Sequence, residues 1–237
     1  MKVRCIWEHN GSDSLLYCDD FIGAFTRGGT EEIAKAKMGR EILTYLRWKT
    51  GEEVEISNLE VEVVQDHPSE LDISDADSEV LFESEKAPLS MEEYLELKAL
   101  ALKSAADFLA LYESIPDKEI GCKPERRTFY GDVPRTARAM YEHTKNVNAY
   151  YFGEINVNAD NEGTIQECRK RGFEALEKQE DFLSNPVIEG SYGELWTLRK
   201  VLRRFVWHDR IHAKAMCRMA AKLFPDGKIE DHFWFRG

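Results

Sequence analysis

Long apolar runs are missing from this 237-residue chain. The longest, such as Ala99-Leu100-Ala101-Leu102, are flanked by charge and fall far short of the ~20 uninterrupted apolar residues of a membrane span. Residues 1–10 hold no hydrophobic signal core before the first acidic residue, so a cytoplasmic location and no membrane partner are expected. Positive charge is also in deficit: 32 basic residues face 44 acidic ones, a formal charge of −12. Broad binding to nucleic acid needs clustered positive charge, and no nucleic-acid partner is expected. Only five cysteines occur (Cys5, Cys18, Cys122, Cys168, Cys217), none in a CxxC pair. A chain of this length needs no disulfide staples, so they read as reduced thiols, and zinc held by cysteines is not expected. Internal repeats and low-complexity tracts are absent too. What is present is 43% hydrophobic residues, enough for a real core, in a length that suits one large domain or two modest ones.

The pattern along the chain changes near residue 67. Residues 2–8 and 14–25 carry β-type residues around the turn signal Asn10-Gly11-Ser12-Asp13. After Gly28-Gly29, a helical stripe of Ile33, Ala36, Ile42, Tyr45 and Leu46 runs from Thr30 to about Trp48, and Lys49-Thr50-Gly51 stops it. Residues 54–56 and 59–63 alternate apolar with acidic side chains, as a half-buried strand does. The expected fold class is α+β, with a β-β-α-β module over residues 1–66. Residues 67–88 are acid-rich and bounded by prolines, which predicts a linker, with Val80-Leu81-Phe82 able to dock as a short strand. Four helices then follow in residues 89–237: one from a Ser90/Glu93 capping box to about Ser114, one from Pro134 to about Gly153, one from Thr164 to just before Asn185-Pro186, and one from about Tyr192 to Phe224. Each can bury one face, which predicts a four-helix bundle.

Three of the six histidines fall on core-facing positions of these helices. His208 and His212 stand four apart, one above the other on a helix face, a reach that can chelate one cation. Val201, Phe205, His208, His212, Ala215 and Met219 follow alternating steps of four and three, so both imidazoles lie in the apolar stripe. His143 sits similarly between Met140 and Val147 on the second helix. A single histidine on an apolar face is most often a satisfied core residue. Two adjacent imidazoles taken out of water without a metal or partners are costly, which sets the pair apart. His9, His67 and His232 sit in polar or terminal contexts and read as surface. His208-Asp209-Arg210-Ile211-His212 superficially follows HExxH, but Asp209 is one methylene short of the glutamate base. Ala215 and Arg218 stand where the metzincin glycine and third histidine belong, so a peptidase is a weak fit.

With those histidines in a bundle, residues 89–237 resemble the DinB-like superfamily. The resemblance is carried by the stretch from Tyr141 to Tyr151 around His143, and more heavily by Leu202 to Ala215 around His208 and His212. It implies an up-down-down-up bundle holding a divalent metal (nickel, zinc or iron) through His143, His208 and His212, with coordination positions left for water or substrate. It also implies, for some relatives, transfer reactions that use a low-molecular-weight thiol and a small-molecule acceptor, and a homodimer as one form of assembly. No catalytic residue is carried over beyond the three ligands. Residues 1–66 more loosely resemble the HicB-type antitoxin module, through Phe21-Ile22-Gly23-Ala24-Phe25-Thr26-Arg27-Gly28-Gly29-Thr30. Ala24 breaks that pattern and no DNA-binding segment flanks it, so an assembly or covering role is expected instead.

A three-imidazole metal lowers the pKa of bound water toward ~7 or holds a thiol as thiolate. Glu142, Asp209 and Tyr141 lie beside the ligands in sequence, but helical neighbours point away from a shared face, so packing or surface roles are expected for them. Cys217 reads as a small buried hydrophobe and Cys168 is ambiguous. Lys200, Arg203, Arg204 and Arg210 read as partners of acidic neighbours, and the five tryptophans as core or interface anchors. Three functions stay open: thiol-dependent transfer, metal-assisted hydrolysis, and a non-catalytic bundle with a partner-binding module.

Overall fold

In the computed structural model, which describes residues 1–128 and 131–236, the first unit is a four-stranded sheet with one helix. β1 (Lys2–His9) and β2 (Ser14–Cys18) pair antiparallel across a turn in which Asn10 Oδ1 accepts from the backbone N–H groups of Ser12 and Asp13. The 14–25 stretch is two strands and not one. It breaks at Gly23, where φ is +89°, and resumes as β3 (Phe25–Gly28), antiparallel to β2. A side chain at Gly23 would strike Val206, so glycine is what lets this turn reach the last helix. α1 (Glu31–Thr50) is capped by Thr30 and ends on left-handed Gly51. It returns the chain to β4 (Glu60–Pro68), parallel to β1, giving the order β3-β2-β1-β4. Residues 54–56 form no strand, so the module reads β-β-β-α-β. One sheet face (Val3, Cys5, Leu16, Cys18) packs with Ala34, Met38, Ile42 and Tyr45 of α1.

The opposite face (Ile6, Leu15, Tyr17) packs with Ile73, Val80, Phe82 and Trp207. Three of those four partners belong to the acid-rich stretch expected as a linker. β4 consumes its first residues, and the rest is seated between sheet and helices. The fully buried Glu8 carboxylate accepts the backbone N–H groups of Glu79 and Val80 at 2.8 and 3.1 Å, and the Tyr17 hydroxyl donates to Ser78 Oγ at 2.8 Å. Those bonds satisfy backbone that a burying segment would otherwise leave unpaired. Val80-Leu81-Phe82 docks through side chains and not as the short strand the sequence suggested.

The four later helices pack on one another, α2 (Met91–Ser114) and α3 (Ala137–Gly153) each against both α4 (Ile165–Leu176) and α5 (Leu198–Leu223). The Ser90/Glu93 capping box opens α2, while Thr136, and not Pro134, caps α3. The α2–α3 connection carries a small ladder of β5 (Arg127–Thr128) and β6 (Gly131–Asp132); residues 129 and 130 lie outside the described set. α4 ends at Leu176, well short of Asn185, because residues 177–181 (EKQED) supply no apolar side chain to bury. α5 begins at its Thr197 cap, after a β7 (Ile188–Glu189) and β8 (Leu195–Trp196) ladder. Every residue from Val201 to Arg210 is buried, so this part of α5 is enclosed on all sides. Among the described residues no helix is long and apolar enough to cross a membrane.

Candidate metal centre

α5 presents His208 and His212 toward α3, and α3 presents His143 back. Their ring centroids are 4.6 Å (208–212), 4.8 Å (143–212) and 5.1 Å (143–208) apart. One ligating nitrogen from each ring falls in a set whose members all lie within 4.8 Å of one another. His208 is buried, His212 half-buried and His143 exposed, so the cluster opens to solvent on the α3 side. The three histidines singled out by the sequence pattern are therefore brought together by the fold. His9 instead pairs with Asp66 at 2.9 Å, and His67 and His232 face Glu79 and Glu230.

Electrostatics favour the neutral, lone-pair form of all three rings. Burial pushes the pKa of His208 well below the ordinary histidine value, helped by His212, His143, Arg204 and Arg169. His212 is likewise well below it through burial and then His143, and burial lowers His143. Neutral imidazole is the metal-binding state. Two observations bear on whether a metal fits. His143 Nε2 and His208 Nε2 are 3.2 Å apart, close to the roughly 3.3 Å between two nitrogens held about 2.0–2.1 Å from one tetrahedral ion. His208 Nδ1 is buried with no hydrogen-bond partner among the described residues, so the ring lacks the outer hydrogen bond that usually orients a ligating histidine. The full set is wider than a closed tetrahedral one. The donor set is all nitrogen, which suits nickel, zinc or iron better than calcium or magnesium.

The sequence neighbours of the ligands do other work. Asp209 is fully buried and chelates Arg169 of α4 through both oxygens, at 2.5 and 3.1 Å, while Arg169 Nη1 also donates to the Ala101 carbonyl. This pair ties α5 to α4 and α2 one residue past His208, a role that Asp209's place beside a ligand in sequence does not reveal. The Tyr141 hydroxyl accepts from Ile165 N at 3.1 Å, fixing the start of α4, and Glu142 pairs with Lys145. Cys168 and Cys217 are both buried; burial and the nearby Asp231 push the Cys217 thiol up, so it stays protonated.

The basic residues of α5 pair with acids, as the sequence suggested, but in the interior. Arg203 meets Glu85 at 2.5 and 3.1 Å, Arg210 meets Glu41 at 2.8 Å, and Arg204 and Lys200 both reach Glu194 at 2.9 Å. Arg203 also lies 3.9 Å over the Phe82 ring. The chain matches no family model, no curated protein and no solved structure.

Proposed function

We propose that this is a divalent-metal protein of DinB-like character that uses His143, His208 and His212 as its ligands and works in the cytoplasm on a small thiol and a small-molecule acceptor. The observation that carries this reading is the convergence of three neutral imidazoles from two helices, with no carboxylate among them, at a place open to solvent on one side. When bound there, nickel, zinc or iron would supply Lewis acidity and favour the thiolate form of a coordinated thiol. The chain's own part is to hold the rings neutral by burial and to fix α5 through Arg169 and Asp209. The open side at His143 leaves room for substrate. The N-terminal module covers the side of α5 turned away from the ligands, a covering and assembly role.

The test is metal content by mass spectrometry on protein purified without tag or chelator, beside His208→Ala/His212→Ala. About one nickel, zinc or iron per chain, lost in the variant, is expected, followed by turnover that requires added thiol. No metal in either protein, even after incubation with each cation, overturns the reading. Turnover without thiol would assign hydrolysis instead.

A further inference from the structure

α5 has a second working side. Away from the histidines, Ile211, Lys214 and Arg218 face β3 and α1, and with the final residues of the chain they line a cavity of about 790 Å³. That is within the range of ligand sites, roughly 300–1,000 Å³. Its charge runs against the molecule as a whole. In a chain with 12 more acidic than basic residues, the lining holds Lys37, Lys214, Arg218 and Arg236 against a single acid, Glu41, beside Arg40 and an Arg27 already paired with Asp13 at 2.9 Å. Glu41 is already committed to Arg210 and Lys214, at 2.8 and 2.5 Å. Arg218 and Arg236 are exposed and have no carboxylate within ion-pair reach among the described residues; Lys37 spends one donor on the Arg27 carbonyl and has no carboxylate partner either.

The rest of the lining is mixed: three aromatic rings (Phe25, Trp234, Phe235) among small or polar side chains such as Thr26, Ala36 and Thr44. Phe25 is buried at the floor, with the Lys214 ammonium 4.3 Å from its ring centre and 5.1 Å from that of Phe235. Trp234 is held with φ at +62°, a conformation that a bulky side chain rarely adopts, and the Arg47 guanidinium stacks 3.7 Å over its indole. Its exposed ring is thereby fixed at the cavity wall and not folded into the core.

We infer that this cavity, separate from the histidine cluster and independent of it, binds a small organic anion of nucleotide size: a flat ring against the exposed Trp234, with Phe235 beside it, and a phosphate met by Lys37, Arg218 and Arg236. Guanidinium and ammonium groups recognise phosphate through charge-assisted hydrogen bonds, and aromatic faces take a planar ring at little entropic cost. A free inorganic anion would use the cations and leave the aromatic wall idle.

The experiment is isothermal titration of the full chain with AMP, ATP, adenosine and inorganic phosphate, repeated with Lys37→Ala/Arg218→Ala. Both substituted positions are exposed, and the variant's circular dichroism and metal content serve as controls. AMP or ATP should bind, adenosine and phosphate should each bind far more weakly, and the variant should lose roughly tenfold or more in affinity for the nucleotide. Affinity should also fall as salt rises. Binding of phosphate as tight as that of AMP overturns the ring subsite. Binding by none of the probes, or equal binding by a well-folded variant, overturns the proposal.

Discussion

Acids taken out of water in this protein differ sharply in what they cost. Glu41 is enclosed, yet Lys214 and Arg210 outweigh its burial and hold its pKa below the usual glutamate value. Half-buried Asp77 goes the other way: partial burial, then the neighbouring Asp75 and Asp72, raise it to about 6 against a smaller opposing pull from Arg204. A carboxyl whose folded pKa lies above its unfolded value binds more protons in the native state across that interval. Its contribution to stability therefore falls as pH rises from about 4 to 6 and stays unfavourable above. Asp77→Asn should raise the urea midpoint at pH 7.5 and raise it less at pH 4.5. An equal gain at both pH values would show that charge is not the cause. Asp77 lies in a stretch whose acidity reads in sequence as solvation; nothing local to residues 67–88 indicates that the sheet needs a second covering layer.

Among the elements, α5 departs furthest from what its pattern suggests. The stripe from Val201 to Met219 correctly marks the histidine face, because steps of three and four in a helix are a local property. Arg203 and Arg210 read as partners of acidic neighbours, but not as buried ones, since charged residues seldom bury without partners. Their partners, Glu85 and Glu41, lie 118 and 169 residues away, a pairing that no short-range spacing encodes. The same separation hid the basic cavity, whose lining comes from β3, α1, α5 and the chain's last residues. Glu85→Ala should leave Arg203 buried and uncompensated, at a cost of about 3–5 kcal/mol in chemical denaturation, because the lone charge keeps its desolvation penalty. Glu85→Leu combined with Arg203→Met should recover most of that loss. If the single substitution proves neutral, the ion pair is not what seats this segment.

At the scale of the whole molecule, sheet and helices share one interior. Trp207 of α5 contributes to the cluster of Ile6, Leu15 and Phe82, and the segment from Ile73 to Glu85 closes the seam between them. The α+β character and the presence of long helices were legible from residue patterns; that the two units share a core was not, since it depends on which faces meet. Urea unfolding followed by far-ultraviolet circular dichroism, which weights the helices, and by tryptophan fluorescence should give superimposable transitions. Two separated transitions would mean that the N-terminal module stands without α5.

The wiring of α5 has a consequence during synthesis. Chains generally fold from the N-terminus as they emerge, at about 5–20 residues per second. Lys214, one of the cations that neutralise Glu41, follows it by 173 residues, so that acid waits roughly 10–35 seconds for its counter-charge. Until α5 arrives, Glu41 must stay hydrated and the sheet face bearing Ile6, Leu15 and Tyr17 lacks Trp207. Completion of the sheet module is thus timed by a helix made well after it.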